Sequence, residues 1–202
     1  MTPEQRLQFI MNQSEQYEEN LKHRAHLENS LIDLKRNINK LIEDIENKVY
    51  EYAISEIDHL MVKEGWISEK TSPQSITYNY RNKHVNISTL ENMSNQNYAI
   101  LITTNLFEKP NQRVEFYFKD DSLSKIIQKS STGTIIRKDT PNETLEYELT
   151  KLKEIFQKLQ LLKRDLSLTN FQYETSQVGA NRLPNKKREN LTDAFLSTLD
   201  PN

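Results

Sequence analysis

The chain has 202 residues, of which 35% are hydrophobic and 28% charged, with a net charge of −2 and no cysteine. That length suits one domain, or one domain with an elongated attachment, and the apolar share lies below the usual globular level. A disulfide scaffold, a thiol nucleophile and a cysteine-held zinc or iron–sulfur centre are excluded, and the near-neutral charge gives no global field toward nucleic acid or an anionic membrane.

The three glycines, Gly65, Gly133 and Gly179, stand far apart. Phosphate loops and dinucleotide fingerprints need glycines clustered, so P-loop and Rossmann chemistry are not expected. No apolar run is long enough to span a bilayer, and Met1–Ile10 lacks the basic start and apolar stretch of a signal peptide. A cytoplasmic protein without membrane attachment is the expectation.

Taken in chain order, the first element is a long helix. Thr2, Pro3 and Gln5 form a capping box with a first-turn proline. No proline or glycine occurs from Glu4 to Glu64. Leu31, Leu34, Ile38, Leu41, Ile45, Val49 and Tyr52 recur in steps of three and four, the spacing of one helical face. Leu7, Ile10, Tyr17 and Leu21 form a similar run upstream, with Ser14 in one of its slots. Between the runs, Arg24 and Glu28 occupy slots that should be apolar. Residues 1–65 therefore read as one helix roughly 90 Å long, with a possible break at 26–30 and Gly65 as the C-terminal cap.

Residues 66–139 change to strand periodicity. Ile76, Tyr78 and Tyr80 alternate, then Val85 and Ile87, with Arg81, Asn82 and Lys83 as the turn of a hairpin. Tyr98–Ile102 is nearly continuous apolar sequence, as in a central strand, and could extend to Phe107. Glu108 to Gln112 read as a turn, after which Val114, Phe116 and Phe118 alternate. Shorter candidates lie around Ile126–Ile127 and Thr134–Arg137. Five or six strands in succession make an antiparallel sheet whose buried face the flanking helices cover.

Thr140, Pro141 and Glu143 repeat the capping device, and Leu145, Leu149, Leu152, Phe156 and Leu159 come after them in heptad spacing. This helix, 140–167, is expected to pair with the second half of the first as an antiparallel coiled-coil-like stalk. Residues 168–202 read as a flexible tail. It carries the basic residues Arg182, Lys186, Lys187 and Arg188, then a short helix over 191–199 capped by Asn190. The fold class is α+β.

The chemical candidates are few. His23 and His26 share a helix face, but the sequence places no third ligand beside them, and solvated helix histidines are far commoner than metal sites. No metal or other cofactor and no catalytic constellation is expected. The first helix is about twice as long as the second, so Leu7, Ile10, Tyr17 and Leu21 lack an obvious partner within the stalk. These four, with Leu191, Phe195, Leu196 and Leu199 on one face of the tail helix, are the expected partner-binding residues. The functional expectation is a non-enzymatic adaptor or assembly protein that binds a protein partner or forms a homo-oligomer. The competing reading is a nucleic-acid-binding module using Tyr78, Tyr80, Tyr98 and Tyr117 with the basic tail.

Overall fold

The structure is a computed structural model that describes residues 1–72, 75–93, 97–107, 111–120, 138–178 and 186–200. The strands expected around Ile126–Ile127 and Thr134–Arg137, the start of the turn at Glu108 and the basic Arg182 lie outside the described residues. The class is α+β: a long N-terminal helix, one antiparallel sheet and C-terminal helices. The chain divides into two compact units, Met1–Ile42 with Gln128–Leu162, and Glu43–Ile127 with Lys163–Asn202.

Helix α1 runs without a break from Pro3 to Lys63. Its start is the expected capping box: the Gln5 amide donates to the Thr2 hydroxyl (3.3 Å), and the Thr2 amide donates to the Gln5 side chain (2.8 Å). Its end is a Schellman turn. Gly65 sits at φ 85°, its amide bonds the Val62 carbonyl, and the Trp66 amide reaches back to Met61. A residue with a Cβ disfavours that φ, which is why the glycine stands there. Arg24 bonds Glu28 one turn on (2.8 Å), so the polar middle carries its own surface pair and the helix continues through 26–30.

In the first unit, α1 packs against α2 (Pro141–Asp165). Leu27, Leu31, Ile38 and Leu41 are buried with Leu152, Leu159 and Leu162, while Leu145, Leu149 and Phe156 are half-buried. Thr140 and Glu143 form the second capping box, each side chain accepting from the other's amide (3.2 and 3.1 Å). The two helices run parallel, which corrects the antiparallel expectation. Asn142 reaches the Asn20 carbonyl, His23 meets Glu146 (2.9 Å), and Lys35 meets Glu148 (2.7 Å), so partners rise together along the chain. In the second unit, Lys163 pairs with Asp44 and Lys48 bonds the Lys163 carbonyl, each at 2.7 Å, in the same sense. The physical reason lies in the connection after α2. Ser167 caps a single 3-10 turn, Leu168–Asn170, that leads directly into a strand of the sheet. Each helix therefore feeds the sheet from its C-terminal end.

The sheet belongs to the second unit. Its strands are β1 (Ile67–Ser72), β2 (Ser75–Tyr80), β3 (Lys83–Met93), β4 (Asn97–Thr104), β5 (Gln112–Phe118), β6 (Phe171–Gln177) and β7 (Lys186–Arg188). Among the described residues it has seven strands in sequence order, each antiparallel to the next. The expected β2–β3 hairpin is present, with Tyr80 opposite Lys83. So is the central strand β4, which ends at Thr104 rather than Phe107.

Residues 168–202 were expected to form a flexible tail; instead β6, β7 and a third helix, α3 (Leu191–Leu199), are integral to the sheet unit. The reason is aromatic. Phe171 and Tyr173 alternate onto the buried face, opposite Phe118 and Phe116 of β5. The Phe171 ring lies 4.5 Å from Phe118, 6.0 Å from Tyr98 and 6.4 Å from Phe116. Such edge-to-face and offset contacts add to the area that each ring buries.

That face is covered by the second half of α1 and by α3. Ile45, Val49, Ala53 and Ile57 of α1 are fully buried, and the Tyr50 ring meets Tyr98 edge-on at 6.1 Å. Helix α3 packs on β5, β6 and β7 and inserts Leu191, Ala194 and Phe195. Asn190 caps it as expected, and Thr192 bonds Glu56 of α1 (2.9 Å).

The tyrosines make this unit sensitive to alkali. Burial pushes the Tyr50 hydroxyl up to about 12, and burial also raises Tyr78, Tyr98, Tyr117 and Tyr173. Their protonated form is favoured in the folded state. The stabilisation is therefore complete below the ordinary tyrosine range near 10, and is lost as pH rises through the folded value. The melting temperature should hold steady from pH 7 to 9 and fall between pH 10 and 12. A flat profile to pH 12 would contradict this packing.

Candidate interaction surface

Every residue from Met1 to His26 is exposed, and Leu27 is the first buried residue of α1. Along this stretch, roughly 36 Å of helix, Leu7 and Ile10 are each 61% exposed, Tyr17 65% and Leu21 47%. Met11 flanks the stripe and is exposed as well. Among the described residues nothing buries the four side chains of the stripe.

The direction of the stripe is informative. The face of α1 that packs toward α2 carries Leu27, Leu31 and Ile38. Continued toward the N-terminus in steps of three and four, that face passes through Arg24, Asn20, Tyr17, Gln13 and Ile10. Tyr17 and Ile10 stand two and three heptads before Leu31, whereas Leu21, Ser14 and Leu7 lie to one side of that line. Helix α2 begins level with Asn20, its Asn142 amide reaching the Asn20 carbonyl. Apart from Leu21, the stripe therefore lies N-terminal to the level at which α2 begins.

No known protein family, characterised relative or solved structure matches this chain.

The other expected partner-binding residues are placed differently. Leu191 and Phe195 are buried against the chain's own sheet, which corrects their reading as a docking face; Leu199 is half-buried and Leu196 is exposed. Most of the sheet aromatics are likewise buried, and Tyr80 is exposed. Tyr78 and Tyr98 lie inside with Phe116, Phe118, Phe171 and Tyr173, Tyr117 is half-buried beside Glu115, and Tyr80 holds Arg81 and Trp66 against its ring. The open stacking platform that a nucleic-acid role needs is not seen among the described residues.

Three further features have chemical character without forming a site. A cleft of about 740 Å³ in the second unit is lined by Glu43, Glu46, Glu51 and Asp58 of α1 with Lys70 and Ser72 of β1. Its carboxylates are spread along four turns of helix, and no group of three or more potential metal ligands converges among the described residues. His23 is held by Glu146, in an exposed pair. On the other face of β5, Arg113 pairs with the buried Glu115, to which the Tyr117 hydroxyl donates. Glu115 stands directly opposite Glu174. That like-charge pairing needs the Arg113 cation beside it. No helix among the described residues is long and apolar enough to cross a membrane.

Proposed function

We propose that this chain is a non-enzymatic, cytoplasmic interaction protein that assembles with a protein partner, or with itself, through the N-terminal face of α1. In this reading the parallel α1–α2 pair serves as a short coiled-coil stalk. One observation carries it: an apolar stripe of Leu7, Ile10, Tyr17 and Leu21, with Ser14 in its middle slot, on a helix segment whose every residue is exposed. Helices in proteins owe most of their stability to packing of an amphipathic face, and a contiguous exposed apolar patch marks interaction sites.

The test is capture from the native cell with the tagged full chain and with an Ile10→Glu/Leu21→Glu variant, followed by mass spectrometry. Both residues are exposed, so the variant should still fold. The reading expects proteins, or untagged copies of this chain, that are retained by the wild type and lost from the variant. An identical captured set from both would overturn it.

A further inference from the structure

We propose that the occupant of the N-terminal stripe is a second copy of this chain, paired antiparallel about a two-fold axis near Ser14. This rests on the interaction reading above and goes further by naming the partner and its sense.

The first argument is symmetry. A two-fold interface uses the same patch on both copies, so that patch must complement itself. Leu7 and Leu21 lie seven residues either side of Ser14, with Ile10 and Tyr17 four before and three after it. Antiparallel pairing sets each Leu7 against the other copy's Leu21 and each Ile10 beside a Tyr17. Ser14 meets Ser14 on the axis, where its small side chain makes room for the neighbouring tyrosines.

The second argument is charge. Glu15, Glu18 and Glu19 form an acidic block on this segment, and Lys22, His23 and Arg24 a basic one. A parallel pair in register would set each block against itself. The antiparallel pair sets the acidic block against Phe9–Gln13, which carries no charge, and the basic block against Glu4–Arg6, whose charges cancel. Helix dipoles also oppose in this arrangement.

The third argument is area. Leu7, Ile10, Met11, Tyr17 and Leu21 are each about half exposed or more. At roughly 100 Å² apiece, with their polar flanks, they approach the ~800 Å² per partner of a standard specific interface.

Light scattering and cysteine cross-linking on the full chain test this. The wild type at tens of micromolar should show twice the 23.9 kDa chain mass, and the Ile10→Glu/Leu21→Glu variant the single mass. Because the chain has no cysteine, each introduced thiol reports alone. Ser14→Cys should oxidise to a disulfide dimer. Leu7→Cys alone should not, whereas a mixture of Leu7→Cys and Leu21→Cys chains should cross-link at a several-fold higher yield than either alone. A monomeric wild type overturns the second-copy proposal, as does efficient cross-linking of Leu7→Cys to itself, which marks a parallel pair. A monomeric chain whose captured partners still depend on Ile10 and Leu21 overturns only this proposal. If those partners are indifferent to the stripe as well, the interaction reading fails with it.

Discussion

Phe171→Ala should destabilise the protein by about 3–5 kcal/mol, the range for truncating a fully buried phenylalanine. The ring is completely buried and meets Tyr98, Phe116 and Phe118. It opens β6, which pairs with β5 along the whole strand. Its removal would leave a cavity beside three aromatic side chains that cannot all collapse into it. Urea unfolding followed by circular dichroism measures the effect. A loss below about 1 kcal/mol, the size of an ordinary substitution, would mean that residues 171–199 are an appendage rather than part of the sheet unit.

The second large effect comes from making one change at two places on one helix. Ile45→Ala should cost about 2–5 kcal/mol, because Ile45 is fully buried where α1 covers the sheet. Ile10→Ala should change the stability of the isolated chain by less than about 0.5 kcal/mol, as substitutions at exposed positions do, yet weaken association. The comparison separates what holds the fold from what the fold presents. Comparable losses at both positions, measured on the monomeric chain, would show that the N-terminal stripe is buried within its own chain.

Much of this architecture was legible in the sequence. Thr2, Gln5, Thr140 and Glu143 mark both helix starts, and each pair closes its capping box. Gly65 marks the end of α1 with the Schellman hydrogen bonds that its position suggested. Strong alternation through Tyr78, Val85, Ile87, Val114 and Phe116 placed β2, β3 and β5, because each of those side chains faces the core.

What escaped had a physical cause. Strand β1 reads Ile-Ser-Glu-Lys-Thr-Ser and is exposed throughout, so no burial pattern betrays it. It is an edge strand bearing Glu69 and Lys70, charges that discourage further pairing. Strand β6 has only two buried large side chains, Phe171 and Tyr173, in a run otherwise polar. Missing it had a second consequence, because without β6 nothing in the sequence required α2 to end at the sheet, and the sense of the helix pair came out reversed. The tail helix was read correctly as amphipathic, but periodicity cannot say whose core an apolar face enters. Leu191 and Phe195 enter their own. The stripe of Leu7, Ile10, Tyr17 and Leu21 was visible because counting helix lengths left it without a partner.

The central claim is that the segment 3–26 is a helix completed by an occupant on its apolar stripe. Amide hydrogen exchange resolved along α1 tests it most directly, with the wild type in its associated state and the Ile10→Glu/Leu21→Glu variant under the same conditions. The account predicts slow exchange over residues 31–61 in both proteins, and slow exchange over 3–26 in the wild type alone. Equal protection of 3–26 in the two proteins would contradict it, since the segment would then be stable with its stripe unoccupied.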